Sequence, residues 1–210
     1  MIESIVDHLS KAISEEMPGE EAHVQMAPIQ RPLPSEARKW KDTKFAGVLV
    51  LLYPLDGRIH TSLMLRPDYD GVHSKQVSFP GGRRELADEN IRQTALREAH
   101  EEMNISPELV KVIGELSELY IPPSKSLVTP ILAHAHKRPN FIPDLKEVSE
   151  IIEADLLNLL DDKSFGKIEI VRKSHTLKDV PAIFYNGFTI WGATAMMLNE
   201  MKWLLRDFKA

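Results

Sequence analysis

The sequence predicts an α/β protein of the α+β kind, with strands and helices mixed in an order that is not a repeating strand–helix–strand alternation. Three observations predict it. Ala46 to Tyr53 (AGVLVLLY) is a continuous apolar run of the sort found in a strand covered on both faces. Gly81 to Ile105 is a charged stretch with helical spacing. Between residues 110 and 190 several short strand-like runs follow one another, with one short helix, DLLNLL, among them.

Composition sets the bounds. At 210 residues, 43% hydrophobic and 27% charged, the chain has the make-up of an ordinary globular protein with one substantial domain. A formal net charge of −5 argues against broad binding to nucleic acid or to an anionic membrane, while leaving room for a local basic pocket. With no cysteine there is no disulfide and no thiolate metal site. No apolar run reaches the length of a membrane span. The N-terminus, MIESIVDHLSKAISEEM, is acidic where a signal peptide is basic, so a cytoplasmic location is expected.

Taken in order, Ile2, Ile5, Val6, Leu9, Ala12 and Ile13 recur at helical spacing and predict an amphipathic helix over 2–16, stopped by Pro18-Gly19. Residues 20–44, rich in proline and charge, read as an extended connection, so that 1–44 forms an appendage and 45–210 the main domain. The strand beginning at Ala46 turns at Asp56-Gly57 into a second strand, His60 to Arg66. A loop of turn formers, PDYDGVHSKQ, leads to VSFP and two glycines. Val110–Tyr120, Leu127–His134 and Glu147–Ala154 read as strands, with IPPSKS as a proline-stiffened loop. GKIEIVRK and VPAIFYNGF read as a final pair of strands, and a core-facing helix closes the chain after Trp191. Its methionines and tryptophans read as packing. His134 and His136 share a strand face without an evident third ligand and read as structural or solvent-facing. The terminal helices leave a homodimer open.

Gly81–Ile105 (GGRRELADENIRQTALREAHEEMNI) carries the chemistry. Glu98, Glu101 and Glu102 stand at i, i+3 and i+4, which puts three carboxylates on one helix face. With no cation expected on that face, such a stack suits a hard divalent ion, although alone it is also what a solvated acidic face looks like. Leu96, Ala99 and Met103 would face a core. Asp88 is a good N-cap, Glu89 suits the first turn, and Asn104 can end the helix in the left-handed region, giving a helix from about 89 to 103.

The stretch resembles the Nudix box, G-x5-E-x7-R-E-U-x-E-E-x-G-U with U aliphatic. Arg97-Glu98-Ala99-His100-Glu101-Glu102-Met103-Asn104-Ile105 matches the second half, with Ala99 at the first U and Asn104 in place of glycine. The first half is offset by one residue. Counting back from Arg97 puts Glu89 on the box glutamate, and counting forward from Gly82 puts Asp88 there. Leu65-Arg66, His73, Gln76 to Gly82 (QVSFPGG) and Ile190 to Ala195 (IWGATA) resemble the coenzyme A pyrophosphatase-like branch. Pro67, Gly71 and Lys75 depart from the fuller coenzyme A signature.

The resemblance implies an α/β/α sandwich around a mixed sheet, with the N-terminal helix added. It implies Mg²⁺ or Mn²⁺ held by Glu98, Glu101, Glu102 and the carbonyl of Gly82, with Glu101 and Glu102 as catalytic groups. Arg97 would hold a loop carboxylate, Glu89 or Asp88, as structural support. The substrate implied is a small nucleotide with a diphosphate, coenzyme A first among them. Arg66, Lys75 and Arg83 are the phosphate-binding candidates, with Arg84 and Lys125 behind them. The general base is left open between the box glutamates and Glu147 or Glu150.

Overall fold

The computed structural model describes residues 2–68, 75–171 and 176–208. Gly71, His73 and the end of the GKIEIVRK run lie outside the described residues.

Three helices open the chain, α1 (Ile2–Glu15), α2 (Gly19–Met26) and α3 (Pro34–Ala37). The apolar run extends into the long strand β1 (Lys44–Leu55), which a two-residue turn joins to β2 (Arg58–Leu65). Asp56 and Gly57 both have positive φ, 49° and 73°, the geometry that matches the twist of a tight hairpin. Two short strands follow, β3 (Val77–Ser78) and β4 (Gly81–Arg83), and then α4 (Ile91–Met103). β5 (Lys111–Glu115), β6 (Leu119–Ile121), β7 (Ser126–His134) and β8 (Glu150–Asp155) complete one sheet of eight strands. After α5 (Leu156–Leu159) come β9 (Phe165–Val171), β10 (Thr176–Tyr185), β11 (Phe188–Trp191) and α6 (Ala193–Leu204).

The large sheet is mixed. β1 runs antiparallel to β2 and β4 but parallel to β7, from Lys44 opposite Ser126 to Leu52 opposite His134. Both faces are covered, which is why β1 reads as one unbroken apolar run. Val50 and Leu52 face a core shared with α1, α6 and the second sheet, where Ile5, Leu9, Leu198 and Ile183 pack. Leu49, Leu51 and Tyr53 face the other core, which receives Ala95, Ala99 and Met103 of α4. Three layers result, with the mixed sheet in the middle.

Two expectations are corrected. Residues 20–44 are not extended throughout, since α2 and α3 lie within them and α2 packs on α6. There the buried His23 ring meets the Glu200 carboxylate at 3.0 Å, and Asn199 donates to the carbonyl of Ala22. The final pair of strands is a three-stranded sheet, because Asn186-Gly187 is itself a tight turn between β10 and β11. His134 is buried edge-on to His136, whose Nδ1 meets Glu3, in keeping with a structural reading. No helix among the described residues is long and apolar enough to cross a membrane.

Ile5 and Leu9 of α1 are fully buried in the same core as β1, so the helix is a working part of the domain. Leu9→Ala is expected to cost about 2–4 kcal/mol in urea unfolding. An unchanged midpoint would mean that α1 does not belong to that core.

Candidate active site

Helix α4 starts at Asn90, whose side chain accepts from the backbone N–H of Gln93 at 3.0 Å, and ends at Asn104 in the left-handed region. Asp88 is therefore not the cap. Its buried carboxylate accepts from the N–H of Glu85, from the hydroxyl of Thr94, and from Nε and Nη2 of Arg97 at 3.0 and 3.1 Å. Those bonds, the Arg97 pair first, hold the acid well below the usual carboxylate range. Glu89, offered as the partner of Arg97, is instead engaged through its backbone, which donates to Gln93 and accepts from Arg84. The forward count from Gly82 is the one the structure follows, with an extra residue ahead of the helix.

Strand β4 puts the glycine pair against both β1 and α4. Gly81, at φ 150°, lies so close to Gly47 and Val48 that a side chain would overlap their backbone. Its N–H donates to Glu102 Oε2 at 2.7 Å. At Gly82 a Cβ would fall on the Glu98 carboxylate. The two glycines are thus what lets the carboxylates of α4 reach the sheet.

The three box glutamates differ in setting. Glu102 is 2% exposed, and burial pushes its carboxyl up to about 8 against the opposing pull of Arg66 and the Gly81 N–H. Glu98 is raised as well, by desolvation first, despite the nearby Arg97. Glu101 is exposed and turned to Arg97, Oε2 to Nη1 at 3.1 Å. The face is accordingly not free of cations, as its sequence suggested: Arg97 also meets Glu98 at 2.9 Å, and Arg66 lies 3.5 Å from Glu102. Among the described residues no three carboxylates or histidines converge on a common point.

A cavity of about 310 Å³ opens beside Gly81 and Gly82. Its walls are mainly apolar, with Val77, Phe79, Ile121 and Trp191, and its charged members are Arg31, Arg66 and Arg83. Arg66 and Arg83, two of the phosphate-binding candidates, thus both line this cavity. Lys75 and Lys125 line no part of the cavity and pair with Asp68 and Asp42. Arg84 is bound to the carbonyls of Asp88 and Glu89 and supports the turn. Glu147 lies near enough for its charge to raise both Glu98 and Glu102. The loop that carries it is hydrogen-bonded to the end of α4, Asp144 N–H to Glu102 carbonyl at 2.9 Å. Arg31 was missed because it stands in a proline-rich segment, PIQRPLP, with no periodicity and no spaced partner to mark it.

Residues 43–173 match the model of the NUDIX domain. The chain is 32% identical to an uncharacterized Nudix hydrolase, NudL, of Pectobacterium atrosepticum, over 85% of this chain and 92% of the relative. It is also 32% identical to the human mitochondrial coenzyme A diphosphatase NUDT8, over 72% of this chain and 61% of that protein. Among solved structures it is similar to the Nudix hydrolase RenU of M. smegmatis, at 17% identity and a TM-score of 0.53, over 80% of this chain and 88% of the other.

Because the acid of Asp88 is depressed in the folded chain, its contribution to stability is present above the unfolded value of about 3.9 and is lost as pH falls. Asp88→Asn is expected to cost roughly 2–4 kcal/mol at pH 7, with a smaller loss between about pH 5 and pH 2 than the parent shows. Denaturant midpoints across that range measure it, and parallel pH curves for the two proteins would contradict it.

Proposed function

The chain belongs to the NUDIX family, and from that membership we propose that it is a Mg²⁺- or Mn²⁺-dependent hydrolase of the diphosphate in a nucleoside diphosphate derivative. Coenzyme A or its thioesters are the first substrates, giving adenosine 3′,5′-bisphosphate and a 4′-phosphopantetheine product. The observation that carries this reading is the meeting of the α4 carboxylates, the bare glycine corner and an arginine-lined cavity at one place. Similarity to the human mitochondrial coenzyme A diphosphatase supports the choice of substrate. Its setting is the cytoplasm and its partner a small nucleotide.

The donor set fits a hard cation. Glu98, Glu101, Glu102 and the Gly82 carbonyl are all oxygen donors, and Gly82 is bare where the Glu98 carboxylate fills the space of a side chain. When bound, such an ion screens the diphosphate and lowers the pKa of a coordinated water. The chain's own residues do the rest. Arg97 fixes Glu98 and Glu101 while anchored on Asp88, so releasing Glu101 from it frees a carboxylate without moving the helix. Glu101, the exposed member of the three, takes the proton of the attacking water, and Glu147, whose charge acts on Glu98 and Glu102, is the other candidate. Arg66 and Arg83 hold phosphate oxygens at the mouth of the cavity. The apolar wall excludes water from the rest of the ligand.

The purified protein with Mn²⁺ is expected to cleave coenzyme A in preference to NADH, ADP-ribose, dinucleoside polyphosphates and nucleoside triphosphates, with products identified by mass spectrometry. Glu101→Gln is expected to lower turnover by about a hundred-fold or more with an unchanged circular dichroism spectrum. Coenzyme A left intact while another diphosphate is cleaved would move the substrate and keep the class. Tight nucleotide binding with no turnover under any metal would make the protein a binding module instead.

A further inference from the structure

Among the described residues Arg31 is a guanidinium that meets no carboxylate. Arg38, Arg58, Arg92, Arg97 and Arg138 each meet an acidic side chain, although several of them are well exposed. Arg31 is partly buried, and among the described residues its only hydrogen bond runs from Nη1 to the carbonyl of Tyr120 at 3.2 Å. Its Nε is buried and has no partner among the described residues. Burial lowers its pKa to about 10, with no carboxylate offsetting the effect. Retaining a buried, unpaired charge is costly, and a ligand of opposite charge removes the cost.

The surroundings add a second feature of the same sign. Nη2 of Arg31 lies 4.0 Å from the place a side chain on Gly192 would start. Gly192 precedes α6 and leaves it without a side-chain cap. The positive end of that helix and the guanidinium therefore border the same cavity, whose wall includes Arg31, Gly192, Ala193 and Thr194. Arg66, in the same cavity, is tied to different elements, with Nη2 near the carbonyl of Gly81 and the carboxylate of Glu102.

We propose that Arg31 and the start of α6 form a subsite for a phosphomonoester that the substrate carries in addition to the diphosphate at which it is cleaved. The inference rests on the hydrolase reading above and narrows it. A phosphate dianion matches the fork of a guanidinium and the open N–H groups of a helix start. Coenzyme A has such a group on its ribose, whereas NADH, ADP-ribose and dephospho-coenzyme A have none, so the subsite selects within the class.

Calorimetric titration of the full chain in EDTA tests this with adenosine 3′,5′-bisphosphate and AMP as probes. The parent protein is expected to bind the bisphosphate about ten- to a hundred-fold more tightly than AMP. Arg31→Gln is expected to bring the ratio near one, and Arg31→Lys to keep part of it. The ratio of kcat/KM for coenzyme A over dephospho-coenzyme A should fall in step. A parent that does not distinguish the probes, or an Arg31→Gln protein that still does, overturns the subsite. Equal weakening toward both probes in Arg31→Gln overturns it too, since Arg31 would then serve the shared phosphate. If Arg31→Gln does not melt cooperatively, the parent ratio and Arg31→Lys decide. Because binding needs no turnover, intact preference without hydrolysis of any diphosphate refutes the hydrolase reading alone. Hydrolysis without preference refutes the subsite alone.

Discussion

Everything near the site depends on one hydrogen bond, from the main-chain N–H of Gly81 to the carboxylate of Glu102 across 2.7 Å. It joins the first residue of β4 to the last turn of α4. The approach it needs is steric before it is electrostatic. Gly47 has no side chain, and a Cβ there would come within 2.6 Å of the carbonyl of Ile91 at the start of α4. Gly81 and Gly82 clear the space between β1 and the carboxylates in the same way. Close packing then leaves Glu102 too dry to carry charge cheaply.

Around that contact the arginines divide the work by what they are paired with. Arg97 is saturated, gripping Asp88 in a two-pronged pair and steadying Glu98 and Glu101. Such a residue holds architecture, because each of its donors has an acceptor already. Arg66 is half-engaged and Arg31 barely so, and these two face the cavity. The gradient runs from the helix outward, from groups satisfied within the protein to groups with few partners of their own.

The N-terminal segment takes its importance from the same cavity. Helix α2 is fastened to α6 through His23 and Glu200 and through Asn199, and Glu200 also accepts from the N–H of Ser117 beside β6. The chain leaving α2 passes along the cavity, and Pro28, Ile29 and Arg31 become part of its wall. A stretch that looks like a linker in composition thereby becomes part of the cavity wall.

Local patterns sufficed for much of this protein. The amphipathic spacing of α1, the two-faced apolar run of β1, the i, i+3, i+4 glutamates and the Asn104 stop are properties of neighbouring residues, and short-range sterics and periodicity determine them. Other features came from pairings that no spacing encodes. Asp88 rather than Glu89 meets Arg97 because Asn90 takes the cap and turns the Asp88 carboxylate inward. Glu101 is held by Arg97, Lys75 and Lys125 are drawn off to surface acids, and Arg31 is carried from an unpatterned loop to the cavity. The helix, the strands and the acidic triplet were thus decided by sequence alone. Which charges are paired, which are buried and which remain for a ligand depended on long-range packing, because desolvation and ion pairing are set by whatever the fold brings alongside.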